Sequence, residues 1–291
     1  MKQEPKAKLM LVCSMLIFGT VGVFRKFIPM SSGFVAFTRG IIGTLFLVLV
    51  MALKKSNVNK ESIKKNSKVL IFSGAAIGFN WILLFESYKY TSVATATLCY
   101  YMAPLIVTLC SQLFGEKLTV KKIILLIFAL FGMALVSNIF TKGQAIDVKG
   151  ILLGLGAAVF YALVIMSNKK ISGLSSFEKT SVQLFFAGVS VLIYSLLFEK
   201  IYFSDFTLPV IILTLIVGVI HTGFAYTLYF GSISILKTQT TAILSYIDPV
   251  FAIILSALIL KEPMTIQNAL GAIIVIASLL LSEITENKKT V

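Results

Sequence analysis

Ten long apolar runs constrain the fold of this chain more than any other feature of its sequence. Each covers about twenty residues, the length that an α-helix needs to cross the hydrocarbon core of a bilayer. Backbone N–H and C=O groups at membrane depth must be hydrogen-bonded within the protein, which favours helices. The sequence therefore predicts an all-α integral membrane protein with ten transmembrane helices. The runs lie near residues 9–28, 33–53, 69–88, 92–114, 120–140, 149–168, 177–198, 208–230, 238–260 and 266–283.

Composition supports a membrane location. Hydrophobic residues make up 58% of the chain and charged residues 13%, with a mean hydropathy of +0.96, whereas soluble proteins carry about 25% charged residues. The basic N-terminus precedes an apolar run that is longer than a cleavable signal, so we expect a first spanning helix there. Cys13, Cys99 and Cys110 lie inside apolar runs without metal-site or disulfide spacing, and we interpret them as packing residues.

The positive charges indicate an orientation in the membrane. With ten spans, both termini lie on one side, and 18 of the 26 Lys and Arg residues fall on that side against 7 on the other. Cytoplasmic loops of membrane proteins carry the excess of Lys and Arg. We therefore predict a multi-pass protein of the cell membrane with both termini cytoplasmic. The net charge is +14, but the basic residues form no stripe interleaved with aromatic residues. We therefore expect no nucleic-acid partner.

One phrase of the sequence occurs twice. Tyr-Met-Ala-Pro at 101–104 opens an apolar run that closes on Gly-Glu-Lys-Leu-Thr at 115–119, and Tyr-Ile-Asp-Pro at 246–249 opens another that closes on Lys-Glu-Pro-Met-Thr at 261–265. A proline inside a helix removes one backbone donor and frees the carbonyl four residues earlier. The sequence therefore predicts an internal duplication in which each copy contains a broken helix.

The duplication has a geometric consequence. Residues 1–143 and 144–291 each contain five runs, and an odd number of spans makes the second copy enter the membrane from the opposite side. The sequence thus predicts two inverted five-helix repeats, broken at Pro104 and Pro249. Inverted repeats place a binding site near the middle of the bilayer, between the halves.

Closely spaced glycines predict tight contacts between helices. Gly74 and Gly78 form one G-x-x-x-G pattern, and Gly150 and Gly154 form another. Small residues at this spacing let two helix backbones approach each other. Glycine is also common in membrane helices for other reasons, so neither pattern alone establishes a contact.

These features together resemble a known family. The run through Pro104 into 115–119, its repetition through Pro249 into 262–265, and the repeat opening at 149–161 are similar to the EamA-type branch of the drug/metabolite transporter superfamily. The resemblance covers nearly the whole chain in two copies. The copies differ in length, since Pro104 precedes its glutamate by 12 residues and Pro249 by 13, and Lys261 stands where the second copy of the family often has glycine.

The resemblance implies a ten-helix carrier that moves small metabolites, often amino acids or their derivatives, commonly outward, without a metal or nucleotide. We therefore expect a secondary active transporter that works by alternating access, with proton coupling as one option. An uptake carrier for a different solute is an alternative. Integral-membrane enzymes of lipid metabolism and structural or sensory subunits are further alternatives, although H-E-x-x-H and P-loop motifs are both absent from the sequence.

Asp248 is the foremost candidate for function. It lies near the middle of the ninth run and immediately precedes Pro249, and an ionisable group at this depth is costly, which makes it a candidate for function. We expect its carboxyl group to bind a coupling proton or a substrate cation. The alternative is a structural acid that a neighbouring donor satisfies.

Glu86 and Arg39 are candidates for coupling or gating. Glu86 lies near the end of the third run, and Lys89 follows three residues later on the same helix surface. A structural ion pair with Lys89 or with Arg39 is one interpretation. A gate, or a contact between Arg39 and a substrate carboxylate, is the other.

Polar and aromatic side chains at similar depth form a predicted substrate-binding set. Aromatic rings with polar tips suit a pocket for an amphipathic metabolite. Packing explains any single tyrosine equally well, and the only histidine could equally be a satisfied buried imidazole. The set consists of Asn80, Trp81, Tyr100, Tyr101, Tyr161, His221, Tyr226 and Asp248.

Other polar residues are expected to serve the fold. Glu116 and Glu262 are predicted to cap the helices that follow them, which Thr119 and Thr265 begin. Gln112 and Gln239 receive no role. We expect no catalytic residue, cofactor or metal site, a small-molecule substrate and the lipid bilayer as partners, and either a monomer or a homodimer.

Overall fold

The structure is a computed structural model that describes residues 3–56, 58–110, 120–136, 147–168, 170–200, 205–233, 235–236, 244–245 and 247–287. This part of the chain is helical and contains no strand. The helices are α1 (Gln3–Lys26), α2 (Ser32–Leu53), α3 (Lys60–Lys65), α4 (Ser67–Tyr90), α5 (Val93–Tyr100), α6 (Ala103–Cys110), α7 (Val120–Val136), α8 (Val148–Asn168), α9 (Ser176–Phe198), α10 (Leu208–Gly218), a π-helical segment (Val219–Phe224), α11 (Ala225–Ile233), α12 (Ile247–Leu258) and α13 (Ile266–Asn287).

The helices have the lengths and composition of membrane spans. Six stretches are long and apolar enough to cross a bilayer, namely α1, α2, α4, α8, α9 and the continuous path from α10 through the π-helical segment to α11. Shorter apolar helices lie in the fourth, fifth, ninth and tenth runs. The all-α fold that the sequence predicts is confirmed.

The fourth apolar run is divided into two helices. α5 ends at Tyr100, α6 begins at Ala103, and Tyr101 and Met102 form the turn between them. Pro104 therefore stands in the first turn of α6, where a backbone N–H would have no helical partner and its absence costs little. In the ninth run, α12 begins at Ile247 with Pro249 in its first turn, and Tyr246 lies outside the described residues.

The Lys-rich loop after α2 contains a short helix that was not predicted from the sequence. The Asn59 side chain accepts a hydrogen bond from Ser62 N, which caps the start of α3. Glu61 lies in the first turn and Lys64 and Lys65 in the last, a distribution that matches the helix dipole. Local capping thus orders part of this loop outside the apolar runs.

Both predicted glycine patterns lie at helix contacts. Gly74 and Gly78 of α4 pack against α9, where a Cβ on Gly78 would meet the Ala187 carbonyl oxygen at 2.9 Å. Gly150 and Gly154 of α8 pack against Thr91 and Cys99 at the two ends of α5. A side-chain hydrogen bond also joins α8 to α4 at this place, since the Ser87 hydroxyl donates to the Gly150 carbonyl at 2.7 Å.

Gly74→Ala should destabilise the protein. A Cβ there would lie 2.6 Å from Phe186 Cβ and 2.7 Å from the Gln183 carbonyl oxygen, so α4 and α9 must separate. Overpacking of this kind costs about 1–3 kcal/mol. Gly156→Ala is the matched control, because its Cβ would meet only a Leu83 methyl group, at 3.3 Å. Thermal unfolding in detergent should show a lower midpoint for Gly74→Ala alone, and equal midpoints would contradict the proposed contact.

Glu262 corrects one prediction from the sequence. Its carboxylate does not cap the following helix but accepts hydrogen bonds from Val93 N, at 2.9 and 3.2 Å, at the start of α5. It also pairs with Lys26 at 3.6 Å and accepts a hydrogen bond from the Ser256 hydroxyl. Helix packing brings this carboxylate to the first amide of α5, which has no partner within its own helix, and an N-terminal amide attracts an anion from any element.

The cap of α13 comes from its own sequence. The Asn268 side chain accepts a hydrogen bond from Thr265 N at 3.0 Å, and Asn268 N donates to the Thr265 hydroxyl oxygen at 3.1 Å. Thr265 therefore begins this helix as predicted. Gln112, Glu116, Thr119 and Gln239 lie outside the described residues.

Lys261 adopts a backbone conformation that glycine favours. Its φ is +54°, in the left-handed region that L-residues enter at a cost. The turn lets Glu262 N donate to the Ser256 carbonyl at 3.2 Å. This conformation places the Glu262 carboxylate over the end of α12, where it reaches α5.

Glu262→Gln should weaken the junction of α1, α5 and α12. The amide retains one acceptor for Val93 N but loses the charge that faces Lys26 and the helix dipole, so we expect a loss of about 1–2 kcal/mol. Glu61→Gln, on exposed α3, is the control. Thermal unfolding in detergent checks this expectation, and it is wrong if both variants unfold at the wild-type temperature.

Candidate functional site

Arg39 of α2 is a buried cation held by a hydroxyl group and an aromatic ring. Its side chain is 5% exposed, its Nε donates to the Thr222 hydroxyl oxygen at 2.8 Å, and its guanidinium carbon lies 4.2 Å from the centre of the Trp81 ring. No carboxylate of the described residues lies within ion-pair distance of Arg39. A buried charge without a counter-ion is costly, so its terminal N–H groups are suited to an anionic ligand.

The π-helical segment positions the hydrogen-bond acceptor of Arg39. The Thr222 hydroxyl donates to the Val217 carbonyl, five residues earlier, at 3.0 Å, which leaves its lone pairs for the Arg39 N–H. A Cβ on Gly43 would lie only 2.5 Å from Thr222 Cγ2, so this glycine lets α2 approach the segment. π-helical turns inside α-helices are frequent at functional sites.

Asp248 of α12 lies across the same space and is held by the broken fourth run. The Tyr101 hydroxyl, in the turn between α5 and α6, donates to Asp248 Oδ2. α1 approaches the start of α12 closely, because a Cβ on Gly19 would lie 2.9 Å from the Asp248 carbonyl oxygen. The helix break therefore supplies the donor that orients the carboxyl group.

Arg39 and Asp248 line one cavity of about 180 Å³, called here the central cavity. Half of its other lining residues are aromatic, and α1, α2, α4, α5, α8, α11 and α12 all contribute. The remaining lining residues are Met15, Phe18, Gly19, Val21, Gly22, Trp81, Leu84, Tyr88, Thr97, Tyr100, Tyr101, Tyr161, Tyr226, Tyr229, Ser245 and Ala252. The cavity thus combines a cation, an acid and a wall of phenol rings.

The aromatic wall is packed ring against ring. Tyr100 stacks on Tyr161 with centroids 5.0 Å apart, and Tyr101 meets Tyr100 edge-on at 5.5 Å. Tyr226 contacts Phe18 of α1 at 5.3 Å. These contacts join rings from both halves of the chain, so the wall depends on the packing of one half against the other.

A second cavity, of about 280 Å³, adjoins the first and is called here the lower cavity. Trp81, Tyr100, Tyr161, Tyr226 and Tyr229 line both cavities. Its polar lining residues are Asn80, Asn168, Ser176, Lys179, Thr180 and Gln183. A solute in the central cavity therefore has polar and aromatic groups on a continuous path toward the ends of α8 and α9.

Seven of the predicted site residues line the central cavity, and Asn80 lines the lower cavity, where its amide donates to the Ala157 carbonyl at 2.6 Å. The seven are Arg39, Trp81, Tyr100, Tyr101, Tyr161, Tyr226 and Asp248.

His221 and Glu86 are not among the lining residues. His221 is 1% exposed, its Nε2 lies 2.7 Å from the Thr20 hydroxyl and its Nδ1 lies 3.3 Å from the Ile216 carbonyl. Glu86 pairs with Lys89 at 2.6 Å, as their spacing allows, and not with Arg39. The described residues contain no group of three metal-ligating side chains.

Comparison with known proteins identifies the family. The model of the EamA-like transporter family matches residues 5–138 and again 148–284. The chain belongs to the EamA-like transporter family. An uncharacterized transporter of Bacillus subtilis strain 168, YxxF, is 30% identical over 291 residues, covering 99% of this chain and 93% of that protein. An uncharacterized transporter of Archaeoglobus fulgidus is 26% identical over 275 residues, covering 94% of each.

A crystal structure shows the same fold. It superposes with a TM-score of 0.69 at 15% identity and covers 98% of this chain and 99% of its own. Membership of the EamA-like family and the apolar helices together make this chain a multi-pass membrane transporter with a small-molecule substrate.

Several residues in or beside the central cavity were not predicted from the sequence. Tyr229 follows Tyr226 by three residues and Thr97 precedes Tyr101 by four, so helical spacing from the predicted tyrosines would have found them. Thr222 carried no such signal, because its contact with Arg39 depends on the π-helical segment. Tertiary packing alone brings these side chains together.

Thr222→Val should destabilise the protein more than Thr227→Val. Valine at position 222 leaves Arg39 Nε buried without an acceptor, which costs about 1–3 kcal/mol. Thr227 is the matched control because its hydroxyl donates four residues back along the chain, to the Gly223 carbonyl of the π-helical segment at 2.9 Å, and not to Arg39. Thermal unfolding in detergent measures the difference, and equal effects of the two variants would contradict the role of Thr222.

Proposed function

We propose that this protein is a secondary active carrier that exports small zwitterionic or cationic amphipathic solutes, such as amino acids and their derivatives, across the cell membrane. The observation that carries the proposal is the central cavity, where Arg39 and Asp248 face one space among tyrosine side chains. Opposite charges on two walls suit a solute that bears both an ammonium and a carboxylate group.

The proposed architecture is ten membrane helices in two inverted halves, 1–143 and 144–291. Equivalent helices of the two halves make equivalent contacts, which supports this architecture. α1 packs on α11 and α12, and its counterpart α8 packs on α4 and on α5 with α6. α2 packs on its counterpart α9, and α7 on its counterpart α13. Halves with matching contacts can exchange packings, which is the basis of alternating access.

Asp248 is proposed as the group that binds a proton or the ammonium group of the solute in turn. Tyr101 donates to one of its carboxyl oxygens, which leaves the other for a ligand. Arg39 is proposed to bind the solute carboxylate. Its Nε is occupied by Thr222, but a guanidinium group carries five N–H donors, and two of them can bind a carboxylate side by side.

The aromatic residues of the predicted set are proposed to contact the apolar part of the solute. Trp81, Tyr100, Tyr161 and Tyr226 line both the central and the lower cavity. Phenol and indole rings pack against an apolar group and offer a polar edge as well. Asn80 is proposed to contact solute in the lower cavity. His221 and Glu86 are proposed to stabilise the helices that surround the site.

The export direction rests on the family resemblance, and the orientation with cytoplasmic termini rests on the excess of Lys and Arg in the loops on that side. Proton coupling would let a proton and the solute ammonium alternate on Asp248. Such an exchange moves solute outward when the proton concentration is higher outside. No covalent step is required.

Transport by the purified protein tests the proposal. The protein is reconstituted into lipid vesicles, and a library of amino acids, their decarboxylated amines and sugar phosphates is offered with and without an imposed pH gradient. We expect amino acids or amines to move, and the pH gradient to increase the rate. Movement of sugar phosphates alone, or of none of the three classes, would overturn the proposal.

Asp248→Asn should lower transport of the best library solute at least about tenfold and remove its dependence on the pH gradient, because one charged contact is worth about 1.5–3 kcal/mol. Glu61→Gln, outside both cavities, is the control and should transport at the wild-type rate. Wild-type transport with unchanged pH dependence in Asp248→Asn would exclude the proposed role of this residue.

A further inference from the structure

Lys179 is a half-buried cation that projects into the lower cavity and has no partner in the described part of the chain. It lies in the first turn of α9, yet no carboxylate of the described residues is within ion-pair distance. The neighbouring acid is directed elsewhere, because Glu178 accepts hydrogen bonds from Asn59 N at 2.7 Å and from Ser175 N at 2.8 Å. None of the described residues that line this cavity is acidic.

A chain of side-chain hydrogen bonds holds a second donor residue in the lining of the same cavity. The Ser73 hydroxyl donates to the Leu70 carbonyl at 3.2 Å and accepts from Gln183 Nε2 at 2.7 Å. The second N–H of Gln183 donates to Asn168 Oδ1 at 2.8 Å. Because the Asn168 oxygen accepts this bond, its amide nitrogen has two N–H donors left, and Asn168 and Lys179 both line the lower cavity.

The lower cavity lies at the end of the bundle opposite Glu262. α8 begins beside Ser87 of α4, whose hydroxyl bonds Gly150, and this end also holds Lys89 and Glu262 in one cavity of about 420 Å³. α8 then runs the length of the bundle to Asn168. A solute that enters at the Asn168 end and reaches the central cavity through the lower cavity meets Lys179 before Arg39.

We propose that Lys179 and Asn168 form a second subsite that binds the carboxylate of the solute on its way to the central cavity. The Lys179 ammonium group offers a carboxylate charge-assisted hydrogen bonds, and the Asn168 amide offers neutral ones. The tyrosines and Trp81 that line both cavities contact the apolar group attached to the carboxylate. The inference rests on the proposed function. It extends that function by proposing that the solute carboxylate binds first at Lys179 and then at Arg39.

The only tryptophan of the chain reports on this site. Trp81 lines both cavities, so its fluorescence should change when a ligand enters either. Benzoate is the probe for the carboxylate subsite, and benzylamine, of the same ring size and opposite charge, is the probe for Asp248. Both are titrated at neutral pH into the purified full-length protein in detergent.

We expect saturable binding of benzoate that weakens about tenfold in Lys179→Gln and at least threefold in Asn168→Ala, and that Lys179→Arg largely retains. Lys170→Gln is the matched control, because Lys170 is exposed and does not line the cavity. Benzylamine should instead lose affinity in Asp248→Asn and keep it in Lys179→Gln. The retained binding of benzylamine also shows that Lys179→Gln is folded.

Benzoate binding that is absent from the wild-type protein, or unchanged in Lys179→Gln and Asn168→Ala, would overturn the subsite. This outcome is separate from failure of the proposed function. Transport of amino acids with benzoate binding that does not depend on Lys179 would reject the subsite alone. Lys179-dependent benzoate binding, without transport of any library solute, would reject the proposed carrier function alone.

Discussion

Backbone hydrogen bonding in a bilayer is the constraint on which this structure depends. Because lipid offers no partner to an exposed N–H or C=O group, every spanning segment must be helical, and departures from the helix are tolerated only inside the protein. Two such departures are the turn at Tyr101 and Met102 and the π-helical segment Val219–Phe224. Both lie beside the central cavity. Tyr101 reaches Asp248 from one, and Thr222 reaches Arg39 from the other.

The two embedded charges are supported separately. Arg39 is held by a hydroxyl group and an indole ring, and Asp248 by a phenol hydroxyl group. A direct ion pair between them would satisfy each charge with the other and leave little reason for a ligand to bind. Neutral partners hold the two side chains in place, so each charge can still pair with a charged group of a ligand. This arrangement fits a carrier, which must bind its solute and also release it.

Carboxylates at helix starts tie the two halves of the chain together. Glu262 accepts from Val93 N at the start of α5, and Glu199 accepts from Gly33 N at 2.9 Å at the start of α2. Each contact joins an acid of the second half to an amide of the first half that has no partner within its own helix. Such bonds favour one packing of the halves, and Lys26 adds a third partner at Glu262. A change between two packings would have to exchange these contacts.

Helix formation, the break at Pro104 and seven of the residues that line the central cavity were predicted from the sequence, because bilayer thickness, the missing proline N–H and the cost of an embedded charge act on each segment regardless of its neighbours. The partners of those residues did not. Glu262 caps α5 and not α13, His221 lies away from the cavity, and Thr222 serves Arg39 through a π-helical turn. Each of these contacts joins residues more than 160 positions apart. Only the packing of the folded helices brings such residues within hydrogen-bond distance.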